Sequence, residues 1–221
     1  MRRPAEGGGL VAAPAASCAR CPRLAAFRDG NRGANPGWFN APVPSFGPID
    51  AELLVVGLAP GLKGANRTGR PFTGDHAGVL LYQTLLQFGL ARGSYGAERD
   101  DGLQLLGVRI ANAVRCVPPE NKPLPAEVAA CNPFLAGELQ AMPRLRAVLA
   151  LGVLAHTALL RARGLVASRF PFRHGALHTL PGGLLLADSY HVSRYNTQTR
   201  RLTEPMFHDA VSALLGLLKP G

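Results

Sequence analysis

Three groups of residues in this 221-residue chain have types and spacings that could do chemistry. The first is Gly57 to Gly78, "GLAPGLKGANRTGRPFTGDHAG", with six glycines, two prolines and one carboxylate, Asp75. So much bare backbone permits close approach to a flat or anionic ligand. It is not a nucleotide P-loop, because no Gly-Lys-Ser or Gly-Lys-Thr occurs, and it lacks the G-x-G-x-x-G spacing. The bland alternative is a long connecting loop. The second group, "HVSRYNTQTRRLT" from His191 to Thr203, combines an imidazole, a tyrosine and three arginines with hydroxyls and amides. That mixture suits contacts to phosphates and bases, although a lone histidine after a strand is more often structural. The third group is four cysteines: Cys18 and Cys21 as C-x-x-C, then Cys116 and Cys131 with fourteen residues between them. Nothing marks the chain as secreted, so thiolates meeting at zinc or at an iron–sulfur cluster compete with two disulfides and with unrelated reduced thiols.

These groups need elements to position them. The run 52–57 reads as a buried strand, and 76–93 reads as a helix with Leu80, Leu81, Leu85 and Phe88 near one face. A second strand within 105–116 runs into a proline-rich loop, 117–125. The next helix is expected to be interrupted or to restart near Pro133. A third strand covers 147–152, a helix ends at Gly164, and a fourth strand covers 184–191. The last helix starts from a Thr203 N-cap with Pro205 in its first turn.

Alternating strands and helices imply a three-layer αβα sandwich around a four-stranded parallel sheet. The chain forms a single domain, 1–221, with 1–16 as a flexible or irregular lead-in rather than a signal peptide. In such sheets ligands bind beyond the carboxyl ends of the strands, so the glycine loop and the His191 segment should share one edge.

The net charge is +10 and the isoelectric point about 10.3. That balance favours a polyanionic partner such as nucleic acid, against the plain alternative of a solvated basic surface. No apolar run is long enough to span a membrane.

Taken together, "GLAPG", "RPFTGDHAG", "NAVRC" and "HVSRYN" resemble, in order, the pocket motifs of the uracil-DNA glycosylase superfamily. "CARC" with Cys116 and Cys131 resembles the ligand set of its iron–sulfur branch, and the likeness runs from about residue 18 to 215. Ala59 stands where family 4 carries an acid, so the chain looks like family 5. One departure is Val192, in a motif that usually reads His-Pro-Ser.

The resemblance implies hydrolysis of the N-glycosidic bond of uracil in DNA, and of deaminated purines such as hypoxanthine and xanthine. It implies a [4Fe–4S] cluster on Cys18, Cys21, Cys116 and Cys131, with a structural role. Gly57 and Ala59 would lie against the nucleotide, Phe72 would stack on the flipped base, and Asn112 would pair with its edge. His191 would donate to uracil O2 as negative charge develops there, and a neutral imidazole suffices. Asp75 would orient water or support the cationic sugar, and it also sits where a helix N-cap is expected. Asn121 would approach the sugar or base. Arg194, Tyr195 and Asn196 would contact DNA, with Arg194 or Tyr195 filling the space left by the flipped nucleotide. Water being the nucleophile, no Schiff-base lysine is expected. The expected setting is a monomer on DNA in a bacterial or archaeal cytoplasm. The rivals are a non-catalytic metal protein that binds nucleic acid and an electron-transfer protein.

Overall fold

Every residue of Leu53–Gly57 (β1) and of Ala147–Leu151 (β5) is buried, the mark of strands covered on both faces. The computed structural model describes residues 13–218. Of the lead-in, only residues 13–16 are described, and they hold neither helix nor strand. β1 pairs in parallel with Val108–Asn112 (β4) on one side and β5 on the other, and β5 pairs in parallel with Leu185–Ser189 (β7).

The expected four-stranded sheet needs correction. A fifth strand, Leu177–Thr179 (β6), pairs antiparallel to β7 at the edge, giving the order β4-β1-β5-β7-β6. β6 is three residues long and none of it is buried. So short an edge strand carries no hydrophobic period, and its pairing comes from the turn at Pro181–Gly183 and from β7. A second small ribbon, Ala91–Arg92 (β2) with Gln104–Leu105 (β3), also lies outside the sequence expectations.

Side-chain alternation splits the core in two. Leu53, Val55, Leu149 and Leu151 face one cluster, with Leu81 and Leu85 of His76–Gln87 (α3) and Phe207, Val211 and Leu214 of Glu204–Leu218 (α7). Leu54, Val56, Val148 and Ala150 face the other, with Leu135 and Leu139 of Pro125–Ala141 (α4) and Leu159 of Val153–Ala162 (α5). Pro22–Ala34 (α1) packs Leu24 beside the cysteines.

α4 runs unbroken through Pro133, contrary to expectation. Burial of Phe134, Leu135 and Leu139 holds it together, and Asn132 Nδ2 donates to Ala158 O of α5 at 2.8 Å. Tertiary packing here outweighs the hydrogen bond that proline cannot make. α3 ends at Gln87, earlier than the expected 93, where the chain turns through Gly89 with φ +70°. The Thr203 cap is present: its Oγ1 accepts from Met206 N at 3.4 Å.

Candidate active site

The carboxyl ends of β1, β4 and β7 deliver their following residues to one open cleft of about 660 Å³. Ala59, Phe72, Asp75, Asn112, Asn121, His191 and Arg194 all line it. Leu58, just after β1, and Ser193, beyond β7, lie 135 positions apart in sequence yet meet at one edge, as a parallel sheet requires.

Gly57 ends β1 and does not line the cleft wall. A methyl on it would fall 2.4 Å from the Phe72 ring and 2.5 Å from Asn112 Oδ1. The glycine thus lets a ring and an amide close on the strand end from two sides. Asn112 is buried, and its Oδ1 accepts no hydrogen bond within the protein. A buried acceptor left this way costs free energy, and it is satisfied when a ligand N–H reaches it. Phe72 adopts φ +53°, uncommon for an aromatic residue. Its ring lies 6.0 Å from the His191 ring, inclined by 31°.

The glycines serve the carboxylate as much as any ligand. Methyls on Gly61 and Gly64 would sit 2.7 and 2.3 Å from Asp75 Oδ2. The loop is bare there because Asp75 folds back into it. Asp75 occupies the N-cap position of α3, with φ −131° and ψ 171°, but its side chain closes no capping hydrogen bond. Its Oδ1 is buried without a partner. Burial raises the carboxyl above its ordinary value, outweighing the amides of Gly78 and Ala77 and the nearby His76.

His191 is partly open to the cleft, yet enclosed enough that burial lowers its pKa to about 4. At neutral pH it is an uncharged donor. Its backbone is fixed from both sides. Val192 is fully buried in the core, and Asn196 Nδ2 donates to His191 O at 2.7 Å. A buried valine thus anchors the segment where the related motif uses proline. Asn196 faces inward in this contact, whereas Tyr195 is 69% exposed. The segment is partly helical: Arg194–Gln198 (α6) starts from Ser193, whose Oγ accepts from Asn196 N. His76 Nε2 and Thr197 Oγ1, 3.0 Å apart, join α6 to α3.

The loop bearing Asn121 is strained at two neighbours, Glu120 with φ +54° and Asn121 with φ +57°. Arg23 of α1 holds its far end, donating to Lys122 O and pairing with Glu127 at 2.8 Å.

Cys18, Cys21, Cys116 and Cys131 are unbridged and line a single pocket with Leu24, Val114 and Phe134. Among the described residues, no three of the sulfurs lie within 4.8 Å of one another; the one set that compact is His156, His178 and Asp188. That set is internally satisfied, His156 bonding Asp188 at 2.7 Å and Phe170 O at 2.8 Å. Burial pushes the Cys116 thiol up to about 11, against the pull of Arg28. Burial also raises Cys21 and Cys131, and neighbouring cysteines add to it. Arg28 is buried, its Nη1 3.8 Å from Cys116 Sγ, and its Nε has no hydrogen-bond partner. A buried guanidinium beside the Cys116 sulfur fits a site that carries net negative charge when filled.

Sequence reasoning missed the buried arginines. Arg115, inside "NAVRC", turns away from the cleft to Ser45 Oγ at 2.6 Å and Glu138 at 2.8 Å. It stiffens the span between Asn112 and Cys116. Arg70 and its partners were missed too, although Arg70 lies within the motif "RPFTGDHAG".

Residues 44–215 match the family model described as the uracil DNA glycosylase superfamily. A protein of Thermus thermophilus named Type-5 uracil-DNA glycosylase is 50% identical over 196 residues, covering 86% of this chain and 89% of that protein. A Type-5 uracil-DNA glycosylase of Pyrobaculum aerophilum is 43% identical over 191 residues, covering 85% and 83%. A Type-4 uracil-DNA glycosylase of the same organism is 35% identical over 123 residues, 55% of each chain.

Proposed function

The chain belongs to the uracil DNA glycosylase superfamily, on its type-5 side, and on that premise we propose that it hydrolyses the N-glycosidic bond of uracil in DNA. The observation that carries this reading is Asn112 Oδ1, a buried acceptor with no protein partner at the end of β4. Uracil N3–H is a donor that such an acceptor can take, and the Asn112 amide N–H can answer the adjacent carbonyl. Phe72 supplies the stacking face, and bare Gly57 lets both groups approach.

In the reaction the bond from C1′ to the base nitrogen breaks and its electron pair leaves with the base. Negative charge spreads to O2, where neutral His191 donates. Water adds its oxygen to C1′ from the opposite face and releases a proton to Asp75 or to solvent, leaving an abasic sugar. Asp75, ionised, steadies the cationic sugar before water adds. Asn121, which lines the cleft, orients sugar or base. Arg194 and exposed Tyr195 contact the strand, one of them filling the gap left by the flipped nucleotide. Deaminated purines, hypoxanthine and xanthine, enter the same open cleft. The chain works as a monomer in the cytoplasm, drawn to DNA by its net charge of +10.

We assign Cys18, Cys21, Cys116 and Cys131 to a [4Fe–4S] cluster. Zinc at about 2.3 Å from each sulfur would draw the sulfurs to within roughly 4 Å of one another. The wider spacing here favours the larger group. When bound it would tie the start of α1 to the segment that follows Asn112 and to α4, with the loop bearing Asn121 between these last two; hydrolysis needs no electron from it. Anaerobically purified protein should be brown and hold about four irons per chain. Stoichiometric zinc without iron would overturn the assignment.

The activity is tested with duplexes each bearing one lesion, followed by alkaline cleavage of abasic sites. Cleavage is expected at uracil and, more slowly, at hypoxanthine and xanthine. Tight duplex binding with no cleavage at any lesion would favour a non-catalytic nucleic-acid binder.

A further inference from the structure

Phe72 holds an unfavourable backbone conformation, φ +53°, and something must hold it there. One contact reaches its carbonyl and two hold the residues on either side. Tyr95 Oη donates to Phe72 O at 3.1 Å, and Tyr82 Oη donates to Pro71 O at 2.6 Å. Arg70 Nε donates to Thr73 Oγ1 at 2.7 Å. Gly78 in α3 leaves the room: a methyl there would fall 1.8 Å from Phe72 O and 2.3 Å from Tyr95 Oη.

The holding groups are themselves held. Arg70 is buried and pairs with Asp101 through two hydrogen bonds, at 2.8 and 2.6 Å. Its guanidinium lies 5.4 and 5.9 Å from the centroids of Tyr82 and Tyr95. Asp101 also accepts from Gly96 N and Leu103 N, so one carboxylate closes the loop that carries Tyr95.

We propose that the segment between β2 and β3 is a clamp that sets the position of Phe72 against the flipped base, with Tyr95 as its positioning residue. This rests on the glycosylase reading. No chemical step passes through Tyr95; it acts through the ring it places. The segment lies outside the motifs of the cleft, yet the stacking face depends on it.

The test is a double-mutant cycle between Tyr95→Phe and Phe72→Leu, read by single-turnover release of uracil. Tyr95→Phe keeps the ring over Arg70 and deletes only the hydroxyl. It should slow release about 3- to 10-fold, the effect of one hydrogen bond. In the Phe72→Leu background the same change should have no further effect. Affinity for a duplex bearing a tetrahydrofuran abasic analogue should not move, because no base is there to stack. An undiminished loss in the Phe72→Leu background would overturn the clamp. So would equal losses of rate, tetrahydrofuran affinity and melting temperature, which would make the hydroxyl purely structural. If the unsubstituted chain releases no base, the glycosylase reading falls and the clamp with it; a failed cycle in an active enzyme leaves that reading standing.

Discussion

Replacing His191 with Ala is expected to slow single-turnover uracil release by roughly 10²- to 10³-fold, the range for loss of one donor to a developing oxyanion. Duplex affinity should change little, since the donor matters most when charge appears on O2. The buried setting explains why a neutral imidazole serves. Burial lowers its pKa to about 4, so it does not protonate across the usual assay range. His191→Gln, which keeps an amide donor, should recover part of the rate. The linkage has a definite sign. The folded pKa lies below the unfolded value of about 6.5, so the unfolded chain binds more protons between pH 6.5 and 4, and stability falls as pH drops through that window. His191→Ala should flatten that loss. A variant with unchanged single-turnover rate would return His191 to a structural role.

Asp75→Asn is expected to cost about tenfold on uracil and up to ~10²- to 10⁴-fold on hypoxanthine, the range for a positioned acid or base. The uracil anion is the better leaving group and leans on the donor to O2. A purine lesion needs more help at the sugar. Because burial raises the Asp75 carboxyl, the rate on hypoxanthine should fall with acid above the ordinary carboxylate range. Asp75→Asn should abolish that limb. The raised folded pKa gives the opposite stability sign to His191: the contribution is present at low pH and lost as pH rises through the folded value. At neutral pH the charge is therefore a burden on the fold. Since Asp75 closes no capping bond, Asn should leave the melting temperature unchanged or raise it. Rates that stay level on both lesions would remove Asp75 from the chemistry. A fall in melting temperature in step with the rate would make it structural.

Local pattern along the chain was enough to locate the parallel strands, the edge where their loops meet and the residues that meet there. Strands buried on both faces are near-continuous apolar runs, and the polar or glycine-rich segments follow them directly, so local pattern carries the layout. The chain's motifs also placed Phe72, Asp75, Asn112, Asn121 and His191 in one group, and all five line the cleft. Tertiary structure alone decided what those residues are held by. β6 has too few residues to show a period, and α4 passes Pro133 only because its neighbours are buried. The glycines at 61 and 64 look like room for a ligand until Asp75 is seen lying in them. Asn112 becomes an unmatched acceptor, and Val192 an anchor, only once the sheet closes over them. Tyr95 and Asp101 sit in a polar stretch with no period at all, and Asp101 reaches Arg70 across thirty-one positions. Such contacts depend on burial and on side chains far apart along the chain, and no local spacing records either.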